Sequence, residues 1–362
     1  MTPPDERAYW LALLSDPQVD RSRAKAAIYG WAIEQQQRLD ALAGLPSDAL
    51  RERLPDLDAA QAAAWRQALG QAEAAGQVLA QWQGQGIELI TRADAAYPEN
   101  WVERLAERWL PYTLFYRGNL ELLANPAVCL AGAEEPGEAA GDAAEAAAAR
   151  LGPGAHVLLG GYGQGIDRRA LTAGSQALGR TILILPVGFA HAGPILRAGQ
   201  MAVEQGRRIE LSPFEPEAAY APALGRARSL LVTALAEALA LFEPALGPDA
   251  WPGYEPFAQH GGLALIWEGG GADMRAAWQA AGARPFADAD AIERQIAGHL
   301  LPAVDEIVLD QESEDALEAG PVQFDDADSA IRRLSETGRV PDKLARRLRE
   351  AEERGLLGEE GA

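Results

Sequence analysis

Residues His156 to Gly188 read HVLLGGYGQGIDRRALTAGSQALGRTILILPVG. Val157, Leu158 and Leu159 form a short apolar run, followed at once by Gly160, Gly161, Tyr162, Gly163, Gln164 and Gly165. Glycine lets a backbone bend sharply and come close to another group. Ile166 to Leu178 has the composition of a helix, and Gly179 supplies its stop. Thr181 to Leu185 is a second apolar, β-rich run, closed by Pro186 and Gly188. Strand, glycine turn, helix and strand in this order predict a βαβ unit, and so a parallel sheet with a right-handed crossover. The turn then falls at the C-terminal end of a strand, where open α/β sheets bind ligands, and free N–H groups at the start of the next helix favour an anion. The spacing is neither G-x-G-x-x-G nor that of a P-loop. A tight turn that only packs helix on strand is the competing reading.

The same alternation extends outward. Apolar runs at 86–91, 111–119, 127–132, 208–211, 238–243 and 263–267 read as strands. Segments 137–151, 195–204, 223–236, 274–281 and 289–300 read as helices, and 251–260 as helix or loop. Together they predict an α/β domain over residues 85–300 with a doubly wound, mostly parallel, Rossmann-like sheet. Residues 1–84 read as a helical N-terminal module, with helices over 8–14, 24–42 and 59–82. Trp10, Trp31, Trp65 and Trp82 are expected to pack between those helices rather than stack on bases. Residues 301–362 form a tail of different character. Ten acidic residues and no Lys or Arg lie between Asp305 and Asp328, and eight basic residues follow between Ile331 and Arg354. An acidic linker plus a solvated helix is the plain reading of the tail. An acidic run that covers a basic surface is the sharper one.

Composition bounds the function. A formal charge of −21 argues against a broad nucleic-acid-binding face, which needs Lys and Arg to displace counterions, but leaves room for a local basic pocket. The single cysteine, Cys129, lies in an apolar run and reads as a core residue, and four scattered histidines suggest no metal cluster. No long uncharged apolar run is present, and MTPPDERAYW does not read as a signal peptide. These features predict a cytoplasmic protein with no membrane contact, no cofactor and no metal. No Ser-His-Asp set or P-loop is visible, so an enzyme is not expected.

The residues converge on one resemblance, which runs to about residue 300. The order of elements resembles the DprA (Smf) family of DNA-processing proteins. Gly86-Ile87-Glu88-Leu89-Ile90 with Tyr97-Pro98 is similar to the family's "G-I-x-L-[LI] … Y-P". Pro111 to Gly118, continued by Asn119 to Leu123, resembles "P-P-x-L-[FY]-x-[KR]-G". Gly160 to Asp167 looks like "S-G-L-A-x-G-I-D", Gly179-Arg180-Thr181-Ile182 like "G-G-x-T-I", and Glu210 to Phe214 like "L-L-S-E-[YF]-P". Gly282-Ala283 sits where the family has a late "G-A".

The resemblance implies single-stranded DNA binding, loading of the RecA recombinase in DNA uptake and transformation, and pairing as a homodimer. It also implies that Arg117, Gly132, Gly160, Gly161, Tyr162, Gly163, Gly165, Arg168, Arg169, Arg226 and Arg228 make the phosphate or base contacts. The departures bear on that site. Where the family's first strand ends in "G-[ST]-R", this chain has Gly132-Ala133-Glu134. On "R-N-R-I-I-x-G-L-S … V-x-V-V-E", Arg228 and Glu243 are kept, while Ser229 and Leu230 replace Asn and Arg. The phosphate site is therefore read as degenerate. Two other classes stay open: a nucleotide or nucleotide-derivative sensor, with Glu134 or Asp167 on a ribose hydroxyl, and an interaction scaffold with no DNA.

Overall fold

The computed structural model describes residues 4–300. The acidic run and the helix expected at 331–354 lie outside the described residues. Among the described residues, nine strands form one sheet: β1 (Glu88–Thr91), β2 (Thr113–Gly118), β3 (Ala127–Gly132), β4 (Val157–Gly160), β5 (Thr181–Ile184), β6 (Arg208–Ser212), β7 (Ala238–Phe242), β8 (Leu263–Trp267) and β9 (Arg284–Phe286). Their order is β1-β2-β6-β5-β4-β3-β7-β8-β9. From β6 to β9 every pairing is parallel, and β1 and β2 add an antiparallel edge. The order runs outward from β3 in one direction and restarts at β7 in the other. The topological switch point is thus the crevice between β3 and β7, as in a doubly wound Rossmann-like sheet.

Parallel strands covered on both faces are apolar throughout, and β4, β5, β7 and β8 are VLLG, TILI, ALALF and LALIW, with every residue buried. Helices fill both faces. On one side lie α1 (Glu6–Ser15), α2 (Arg21–Ile28), α3 (Ser47–Arg53), α4 (Ala59–Leu69), α5 (Ala72–Gln83) and three later helices. These three are α7 (Glu138–Leu151), α8 (Ile166–Gln176) and α13 (Ala289–Leu300). The other side carries α6 (Glu99–Arg104), α10 (Pro222–Leu235), α11 (Tyr254–Gln259) and α12 (Ala272–Ala280). α9 (Gly193–Glu204) links β5 to β6.

The tryptophans of the N-terminal helices are packing residues. Trp10 and Trp65 are buried, and Trp82 meets Phe115 of β2 edge-on at 5.3 Å. Two local expectations are corrected, and one strand was not expected. The helix expected over 59–82 breaks at Gly70, where α4 ends and α5 begins after Gln71. The helix expected over 24–42 stops at Ile28 and passes into a π-helical turn, Tyr29–Glu34, with Gln36 left-handed after it. Strand β9 is short and contains Pro285, so its pattern was not legible.

Candidate nucleic-acid interface

The loops after β3, β4 and β7 knit together at the switch point. The Ala133 amide donates to the Phe242 carbonyl at 3.1 Å, and the Ile166 amide donates to the Ala133 carbonyl at 3.1 Å. Gly165, the residue before α8, has φ +68. A side chain there would be strained and would also strike the Ala133 and Glu134 carbonyls. Gly132 lies so close to the Phe242 carbonyl that a Cβ cannot fit. These two glycines are explained by backbone packing.

Gly160 and Gly161 have a different cause. A Cβ on Gly160 would meet Asp167 and Leu171, and one on Gly161 would meet the Arg228 guanidinium. The space above the end of β4 is therefore filled by two side chains of the protein itself. Asp167, on the first turn of α8, turns back over the glycines. Its Oδ2 accepts from the Gly161 amide at 3.1 Å and from the Gly163 amide at 2.7 Å. Oδ1 is buried without a hydrogen-bond partner. Burial raises the Asp167 carboxyl above the usual range, opposed by the Arg228 charge and the two amides. Arg228 Nη1 lies 3.8 Å from Oδ2, too far for a hydrogen bond, and Arg228 Nε is buried without a partner.

Arg228 is presented by α10, and that helix is held firmly at its far end. Arg104, almost wholly buried, donates to the Ala234 carbonyl at 3.2 Å and to the Ala236 carbonyl, and pairs with Glu237 at 3.0 Å. Trp101 Nε1 donates to the Leu231 carbonyl at 2.8 Å. A cation at a helix C-terminus satisfies carbonyls that the helix leaves unpaired.

The other residues expected at the site divide in two. Arg168 is exposed, with its guanidinium 5.3 Å from the centroid of the Tyr162 ring. Tyr162 is half-buried and left-handed, with φ 56. Arg226 is exposed two residues before Arg228. By contrast, Arg169 is clamped to α7, donating to Glu145 at 2.6 Å and to Asp142 at 2.9 Å. Arg117 donates to Glu210 at 2.7 Å, to Gln200 at 3.1 Å and to the Leu196 carbonyl at 3.0 Å. These donors of Arg117 and Arg169 are thus matched by acceptors inside the protein. Strand register explains Arg117: Leu183 pairs with Glu210 and Glu210 with Arg117, so the charges meet under α9.

Acid also lines the crevice. Glu134 is exposed, and Glu243, left-handed at φ 46, accepts from the Gly137 amide at 2.9 Å at the start of α7. Residues 88–246 match the family model of DNA recombination-mediator protein A, which is less than half of the chain. This segment is similar to that family.

The segment and its flanks are similar in fold to a solved structure. The DNA processing protein A of Streptococcus pneumoniae is similar at 18% identity and a TM-score of 0.61, over 80% of this chain and 97% of that one. The DNA processing protein A of Helicobacter pylori, whose structure is described for its single-stranded DNA binding mode, is similar at 16% identity and a TM-score of 0.49, over 59% of this chain and 96% of that one. The molybdenum cofactor carrier protein of Chlamydomonas reinhardtii reaches a TM-score of 0.35 at 16% identity, over 48% of this chain and 98% of that one. No curated protein sequence matches the chain significantly. Among the described residues, no helix is long and apolar enough to cross a membrane.

Proposed function

We propose that this protein is a cytoplasmic, non-enzymatic recombination mediator that binds single-stranded DNA at the crevice above β3, β4 and β7 and passes it to a RecA-type recombinase. Arg168, Arg226 and Arg228 are its phosphate contacts, and Tyr162 with Arg168 is its stacking surface. Gly132, Gly160, Gly161, Gly163 and Gly165 shape the turn beneath. A paired, homodimeric form and the division at residues 84 and 300 belong to the same reading.

One observation carries this reading. An exposed arginine lies over an aromatic ring, at the ligand-binding end of the sheet, within a segment similar to a recombination-mediator family. Arg168 occupies a position where a cation is disfavoured, the first turn of a helix, and a bound anion supplies the missing compensation. The nucleotide-sensor reading loses ground because Oδ2 of Asp167 is taken by two amides and Oδ1 is buried, so only Glu134 is left for a ribose.

Fluorescence anisotropy of a labelled oligo-dT, titrated at several salt concentrations, tests the proposal. Single strands lose about 0.7 in the log–log salt slope per phosphate neutralised, so three arginines give a slope of roughly −2. Absence of binding at low salt, or binding with no salt dependence, contradicts it.

A further inference from the structure

The amides of Gly161 and Gly163 point at one place, and that place holds the protein's own carboxylate. We infer that the glycine turn is a phosphate-binding nest closed by Asp167, and that a DNA phosphate enters by displacing this side chain and taking over its two amide bonds together with Arg228. The inference rests on the reading above and concerns how the same site is regulated.

The present occupant fits the nest poorly. Asp167 satisfies both amides through a single oxygen, while its other oxygen is buried with no partner. Its Oδ2 lies 3.8 Å from Arg228 Nη1, and Arg228 Nε has no partner either. A buried polar atom left unpaired costs free energy, and an ion pair without a hydrogen bond forfeits the stronger part of its attraction. A phosphate carries more oxygens than a carboxylate. It can accept from Gly161 and Gly163 with one oxygen and from the guanidinium with another.

Occlusion explains the glycines together with the acid. Gly160 and Gly161 leave room that a side chain would fill, and Asp167 and Arg228 lie in that room. A tethered carboxylate competes at a high effective concentration, so a free phosphate meets the nest as a weaker rival than its own chemistry would make it. The consequence is a site that discriminates. An isolated phosphate pays the full displacement cost for one contact. A DNA strand that also engages Arg168, Arg226 and Tyr162 spreads that cost over several contacts.

The test compares Asp167→Asn with Glu134→Gln, using inorganic phosphate followed by the backbone amide resonances, and oligo-dT followed by anisotropy. D167N removes the charge that holds the nest. E134Q removes one charge from a nearby exposed carboxylate for which no contact with the turn is seen. D167N is expected to bind phosphate about tenfold more tightly than the native protein, and E134Q by no more than about twofold to threefold. Equal gains in the two variants overturn the inference, because the effect is then general electrostatics. A phosphate gain in D167N with no oligo-dT binding by any form keeps the nest and removes the DNA reading. If D167N does not fold, the native protein decides. Saturating phosphate must shift the Gly161 and Gly163 amides, and saturation without those shifts overturns the inference.

Discussion

Two carboxylates, the half-buried Asp167 above β4 and the buried Glu210 in β6, show what separates a structural charge from an available one. Glu210 is fully buried between two guanidiniums. Arg117 donates to it at 2.7 Å, and Arg208 Nε lies 2.9 Å from its other oxygen, in an ion pair not aligned for a hydrogen bond. Asp167 has two amides and one arginine that stops at 3.8 Å. Burial raises both carboxyls, and nearby arginines oppose it in each case. Buried guanidinium nitrogens without a hydrogen-bond partner occur at both sites, on Arg208 and on Arg228; the difference is that Glu210 has an arginine hydrogen-bonded to it and Asp167 has none. The Arg117 donors are matched by protein acceptors. An arginine on an inward-facing strand position can be a strut, and the same residue type on the first turns of a helix over a crevice can be a hand.

The comparison breaks or sharpens in measurable steps. The largest effect is expected at Glu210. Glu210→Ala leaves Arg117 and Arg208 buried without their anion, and urea unfolding should show a loss of about 3–5 kcal/mol. A loss below 1 kcal/mol, about the size of an exposed pair, would remove the distinction drawn here. Next comes the pair Arg168→Ala with Arg226→Ala. Each charge-assisted contact is worth about 1.5–3 kcal/mol in binding, so oligo-dT affinity should fall by two orders of magnitude or more. Both residues are exposed, so thermal stability should stay within about 0.5 kcal/mol of the native value.

Smaller effects follow. Glu243→Ala removes the carboxylate that caps α7 at Gly137, and a lost cap costs about 1 kcal/mol, readable as a lower urea midpoint. For Asp167 the direction is the test. Its folded pKa lies above the unfolded value, so the folded state holds more protons and stability falls as pH rises through the interval between the two. Asp167→Asn removes this dependence. The variant should gain stability relative to the native protein as pH rises from about 4 toward neutrality. A variant that instead loses ground over that range means the ionised carboxylate is net stabilising.

Much of this molecule is legible in its residues because the information is local. The run from His156 to Gly188 carries strand, turn, helix and strand within one continuous segment, and β4, α8 and β5 follow it. The apolar strands behave likewise, since burial on both faces leaves no alternative composition. The site was legible only in part. Nothing near Arg117 in the chain announces Glu210, 93 residues away, and strand register alone brings them together. Arg169 reads as a basic first turn until Asp142 and Glu145 of α7 are seen beside it. The glycine turn reads as room for a ligand, and the room is taken by Asp167 and by Arg228 from α10. Glu243 is legible as the kept acidic end of its motif, but its role at Gly137 depends on β3 and β7 being neighbours.

The central claim is that single-stranded DNA is held here by few arginines, each contacting phosphate. The most direct measurement is the salt dependence of oligo-dT binding for the native protein and for Arg168→Ala, Arg226→Ala and Arg228→Ala, singly and together. The account predicts a log–log slope of roughly −2 that loses about 0.7 with each arginine and vanishes in the triple variant. A slope that survives all three substitutions, or a native protein that binds no DNA at low salt, contradicts it.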